Sequence, residues 1–142
     1  MAPGALVGLG GVALAEGDPT MARCFLDEAL SVSEETGSKV GLVYTLEGFA
    51  MLAAADNQPE SALRLERAAT GLRTALDRPR SAPEHALRER WLDPCRRRLG
   101  EAAAATTAAG AALSTEQAVA YARALASAGR PQQRLHVSGN VS

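Results

Sequence analysis

Few residues in this chain have the type and spacing that chemistry requires. The two histidines, His85 and His136, have no helical spacing to each other or to a cysteine, so they offer no metal-ligand set. His85 reads instead as a solvated residue near a helix start. Cys24 and Cys95 make neither a disulfide framework nor a metal site. Each is expected on the apolar side of a helix, reduced and buried. Asp27-Glu28 and Glu34-Glu35 are adjacent carboxylates. Neighbours on a helix point apart, so these pairs predict solvated faces rather than general acid/base machinery. Serine, histidine and aspartate are all present, with no nucleophile elbow to order them. No Gly-rich loop ends in Gly-Lys-Ser/Thr, and the sole lysine, Lys39, lies in a helix-start context. These observations point away from catalysis, cofactors and metals.

One charged cluster bears weighing. Arg88, Arg90, Arg96, Arg97 and Arg98 crowd a single segment that also holds Trp91. Such a cluster can grip a phosphate or an acidic partner. It can also be a wetted helix face balanced by Glu84, Glu89 and Glu101. A net charge of −1 and the lack of a second aromatic platform favour the wetted face, and with it no direct nucleic-acid binding.

The elements that would position these residues are helical. The 46% apolar content of the 142 residues is mostly Ala, Leu and Val, enough for the core of one domain. Only Phe25, Phe49, Tyr44, Tyr121 and Trp91 are aromatic, and no stretch alternates with strand period. The apolar start, Ala5 to Ala15, has no Lys or Arg before Arg23, as a secretory signal would require, and is too short to span a bilayer. A cytoplasmic chain with no membrane partner is expected.

The chain matches itself at a shift of forty residues. Leu6 falls on Leu46, Gly8 on Gly48, Pro19 on Pro59 and Ala22 on Ala62, while Leu9 over Phe49 and Phe25 over Leu65 keep apolar character. Each unit reads as helix, tight turn, helix. Gly17 can end a helix in the left-handed conformation, Asp18 can cap the next and Pro19 fits its first position. Asp56-Asn57-Gln58-Pro59 repeats that grammar. Ala22, Phe25, Leu26, Ala29 and Val32, then Ala62, Leu65, Ala69, Leu72 and Leu76, form stripes at helical spacing.

Leu9-Gly10, Ala13, Gly17-Asp18, Ala22, Leu26 and Ala29 follow the spacing of a tetratricopeptide repeat. With Leu46 to Ala50, Gln58 to Ala62, Leu99 to Ala102 and Leu113 to Ala122, the chain resembles the C-terminal helical region of bacterial LuxR-type regulators and related signal-transduction ATPases, over about residues 3–126. The resemblance implies an interaction or effector-binding module for a protein partner or small effector, without the ATPase and DNA-binding domains. It also implies that the first helix of each unit lines the binding face, with Tyr44, Glu47 and Met51 as candidate positions.

Ser81-Ala82-Pro83-Glu84 is a capping box opening a further helix, and Pro94 predicts a kink or restart within it. Residues 101–112 are nearly all alanine, where the family carries bulky aromatics, which removes the face that tight docking would use. The expected organisation is all-α: two tetratricopeptide-type helical-hairpin repeats over 3–76 (an α-solenoid), a divergent helical segment over 81–127, and a disordered tail over 128–142. The apolar start further predicts an exposed patch around residues 5–15 and self-association through the first helix. The alternative function is a truncated, purely structural segment that needs neighbouring repeats to fold.

Overall fold

The computed structural model describes residues 1–128, so the tail expected over 128–142 falls, from residue 129 on, outside the described residues. Among them the secondary structure is entirely helical: α1 (Pro3–Ala15), α2 (Pro19–Thr36), α3 (Lys39–Ala55), α4 (Pro59–Ala75), α5 (Ala82–Leu99), α6 (Ala102–Ala111) and α7 (Thr115–Ala128).

The helix ends follow from local chemistry. Gly17, Gly37, Asn57 and Asp77 stand twenty residues apart and all adopt positive φ, at 76°, 68°, 62° and 53°. Each lets the following amide reach back to a carbonyl left over at the helix end. Asp18 N donates to Ala13 O at 2.8 Å, Ser38 N to Ser33 O at 3.0 Å, Gln58 N to Ala53 O at 2.8 Å and Arg78 N to Arg73 O at 2.9 Å. Asn and Asp tolerate this conformation better than other side-chain-bearing residues, which explains the two non-glycine caps. On the other side of these turns, Asp18 accepts from Met21 N, Ser38 accepts from Gly41 N, and Pro19 and Pro59 occupy first helical positions.

Packing makes α3 the central element. α1 lies on α2, α3 lies on α4, and both α1 and α2 also pack on α3. Phe49, Leu46, Leu26, Leu30 and Leu65 fill the main core, each at most 1% exposed. Burying one such side chain is worth roughly 1.5–3 kcal/mol. α7 folds back over α2, α3 and α4, closing this core with Ala118, Val119, Ala122 and Ala126. It is pinned by Tyr121, whose hydroxyl meets Ser61 Oγ at 3.0 Å and accepts from Arg64 Nη1 at 3.1 Å, and by an Arg123–Glu34 ion pair. A second cluster of Ala53, Ala62, Leu63, Leu92 and Cys95 joins α5 to α3 and α4.

Three local expectations change. α5 runs from Ala82 to Leu99 as one helix with Pro94 inside it, so of the expected kink or restart the restart does not occur. Cys24 is exposed while Cys95 is buried, because Cys24 lies beside the buried stripe of Ala22, Leu26 and Ala29 rather than on it. The alanine-rich α6 docks closely on α4, leaving its sequence neighbour α5 with few contacts. A Cβ built on Gly110 would lie 2.8 Å from Arg64 Cα. The absence of bulky side chains is what allows this approach. Backbone nearness replaces side-chain interdigitation, and Thr106 and Gly110 are the buried positions.

α1 carries no ionisable side chain and is apolar on every face. Leu6, Gly10 and Ala13 are buried, while Ala5, Gly8, Leu9, Val12 and Ala15 form an exposed stripe.

Candidate interaction groove

α1, α3 and α5 border one groove, with α3 packed against both of the others. Tyr44, Glu47 and Met51 recur at three and four residues along α3, and all three line it. α1 contributes Val7, α5 contributes Glu84, Leu87, Arg88 and Trp91, and the α4–α5 connection contributes Arg80. The pocket is open and holds about 150 Å³. Tyr44, Met51 and Trp91 are half-buried and Leu87 is 50% exposed, so apolar surface from three separate helices converges here.

Beneath one wall lies a network of three cations and three carboxylates. Arg73, 4% exposed, donates from Nε and Nη2 to the two oxygens of Glu47 at 2.8 and 2.9 Å. Its Nη2 also reaches Glu84 Oε2 at 3.1 Å, and its guanidinium lies 5.5 Å from the Tyr44 ring centroid. Arg80 bridges Glu47 at 2.7 Å and Glu66 at 3.5 Å, and donates to Thr70 Oγ1 at 3.0 Å. Arg88 Nε meets Glu66 Oε1 at 2.5 Å, and Thr70 donates to the same oxygen at 2.7 Å. Hydrogen bonding to Glu47 holds the Arg73 guanidinium protonated still more firmly than usual, against the opposing cost of burial. Glu84 closes the capping box, accepting from Ser81 N at 2.8 Å. That backbone bond, assisted by Arg73, holds its carboxyl below the ordinary range. One side chain thus starts α5 and ties it to α4.

The network sits at a telling place in the repeat. Under the forty-residue shift, Val7 becomes Glu47, Leu26 becomes Glu66, Leu30 becomes Thr70 and Ser33 becomes Arg73. Leu26 and Glu66 are both nearly buried, at 1% and 3% exposure, as are Ser33 and Arg73, at 1% and 4%. At these positions the first two helix pairs meet through apolar side chains and the Ser33–Thr45 hydroxyl pair, while the equivalent seam toward α5 is ionic. A buried ion pair gains little net stability over apolar packing, but it penalises every misaligned docking that would leave a charge alone. Comparison of the buried positions of the two units carries this signal. Reading Glu66, Arg73 and Arg80 singly, as surface charges, misses it.

The clustered arginines separate. Arg88 turns inward to Glu66, Arg96 pairs with Glu89 at 2.7 Å, Arg97 with Asp93 at 3.4 Å, and Arg98 donates to Asn57. Hydrogen bonding to Arg96 holds the Glu89 carboxyl below its usual range. Arg90 is exposed, so the five do not form one cationic face. His85 is exposed as expected, its Nε2 4.0 Å from Glu89. Burial pushes the Cys95 thiol up, away from the thiolate a nucleophile would need. Among the described residues no three His, Cys, Asp or Glu side chains gather as a metal site would require, and no helix is long and apolar enough to cross a membrane.

Comparison of the chain with protein-family models, curated proteins and solved structures finds no match.

Proposed function

We propose that this chain is a non-catalytic, tetratricopeptide-type interaction module, and that the groove over α3 receives an apolar side chain of a protein partner. The observation that carries this is the convergence of Tyr44, Met51, Leu87 and Trp91 beside charged residues that are already engaged with one another. Aromatic side chains set on rigid helices are the residue types that dominate binding energy at interfaces. A volume near 150 Å³ lies below the range typical of small-molecule sites, roughly 300–1,000 Å³. It suits one anchoring side chain. The paired carboxylates and guanidiniums leave no free base in the groove, which supports a binding role over an enzymatic one. The likeness to LuxR-type regulators makes a transcriptional or signalling assembly the proposed setting. A reducing, cytoplasmic compartment is part of the proposal, in keeping with two unpaired cysteines.

The test is selection of a displayed peptide library on the immobilised chain, with Met51→Arg as counter-target. Enriched peptides should share a large apolar anchor and lose at least ~10-fold in affinity for Met51→Arg, about 1.4 kcal/mol. Enrichment of nothing, or binding indifferent to Met51→Arg, would sink the reading. A second, structural reading draws on the exposed stripe of α1. In it the chain stacks against further helices through Leu9 and Val12.

A further inference from the structure

A second cavity shares no residue with the groove. It opens between α4 and the α6–α7 junction and holds about 310 Å³. Leu46, Ala68, Leu72, Leu113 and Ala118 form its apolar lining. Its existence follows from composition: Ala68, Gly71, Ala75, Ala111 and Ala118 leave unfilled the space that larger side chains would occupy. The polar side chains in its lining are Arg67, Ser114 and Thr115. No carboxylate lines it. Arg67 differs from the arginines of the groove in having no acceptor: neither an ion pair nor a hydrogen bond engages it among the described residues. Arg64 donates to Tyr121, and Glu116 is exposed at the start of α7.

An uncommitted guanidinium at the edge of a cavity with a partly apolar lining selects for one ligand chemistry. A carboxylate satisfies the cation with a charge-assisted hydrogen bond, and a short hydrocarbon or aromatic body displaces water from the lining. A cation would meet repulsion from Arg67, and a fully polar anion would leave the lining wet. We propose that the cavity between α4 and the α6–α7 junction binds a small amphiphilic carboxylate, its acid group on Arg67 and its apolar body against Leu72, Leu113 and Ala118. This goes beyond the groove reading and does not depend on it.

The probe is octanoate, followed by the backbone-amide NMR spectrum of the full chain, with octylammonium as the oppositely charged control. Two variants accompany the wild type. Arg67→Gln removes the charge. Gly71→Leu plugs the cavity from a position where a Cβ meets nothing within 4 Å and where leucine favours the helix more than glycine does. Saturable shifts centred on Arg67, Leu72 and Thr115 are expected with octanoate. They should weaken by about 10-fold in Arg67→Gln and vanish in Gly71→Leu, whose spectrum otherwise stays dispersed. The proposal is overturned by no saturable shift up to about 10 mM, by shifts confined to α1, by equal binding of octylammonium, or by an Arg67→Gln variant that binds as well as wild type.

Discussion

At the scale of single residues, the ion-pair seam invites a direct energetic test. Glu66 is 3% exposed and serves Arg80, Arg88 and Thr70 together. Glu66→Leu restores the residue type found at the equivalent Leu26, yet it takes a shared carboxylate from two guanidiniums, leaving Arg80 with Glu47 and Arg88 with Glu89. The loss should be about 1.5–3 kcal/mol in urea denaturation, the worth of hydrogen bonds to a charged group, because neither guanidinium is left without a carboxylate. Adding Arg80→Met and Arg88→Met should recover most of that loss, because the two guanidiniums that faced Glu66 are then gone while Arg73 keeps Glu47 and Glu84. Should the triple variant be no more stable than the single one, the seam needs its charges for more than mutual compensation. Tyr44, Glu47 and Met51 entered as candidates through the resemblance, and their spacing of three and four residues is what puts them on one face of α3. Glu66, Arg73 and Arg80 were not legible, because a charged residue in a sequence reads as solvent-facing until its partners on other helices are known.

At the scale of elements, the same substitution should have opposite signs at two glycines. Gly71 lies in α4 with open space around a built Cβ, so Gly71→Ala removes only the conformational cost of glycine in a helix. It should raise stability by about 0.5–1 kcal/mol. Gly110 lies in α6, where the same Cβ would meet the Arg64 backbone, with Arg64 Cα at 2.8 Å. Backbone cannot rotate aside as a side-chain tip can, so α6 must lift from α4. Gly110→Ala should therefore lose about 1–3 kcal/mol despite the better helix propensity of alanine. Thermal melts of the two variants decide it, and two shifts of the same sign would refute the close α4–α6 contact. The sequence made the turns at Gly17 and Asn57 readable, since capping is a local matter. The docking of α6 was hidden because a helix without bulky side chains shows no apolar stripe, and its attachment comes from what it lacks. Pro94 does not divide α5 because its neighbours Leu92 and Cys95 hold the helix against α3 and α4 on either side of the lost hydrogen bond.

At the scale of the whole molecule, the forty-residue repeat says what the bare face of α1 is shaped for. The shift carries Ala5, Gly8, Leu9 and Val12 onto Thr45, Gly48, Phe49 and Leu52. All four of the latter are buried, and Gly48 packs where a Cβ would collide with Leu26 and come within 3.2 Å of Val7. The same face of α1 is open, with Leu9 37% and Val12 55% exposed and no charge along the helix to oppose association. Exposed apolar surface of this kind is costly in water, and covering it by another helical surface recovers roughly 25 cal/mol per Å². Isolated chains should therefore associate weakly as concentration rises, and Leu9→Glu with Val12→Glu should leave a monomer. Neither position supports the core, so helicity and the urea midpoint should remain close to wild type. Sedimentation equilibrium across a concentration series reads the outcome. A wild type that stays monomeric throughout would mean that this face is tolerated bare, and the stacking reading would lose its support while the groove over α3 kept its own.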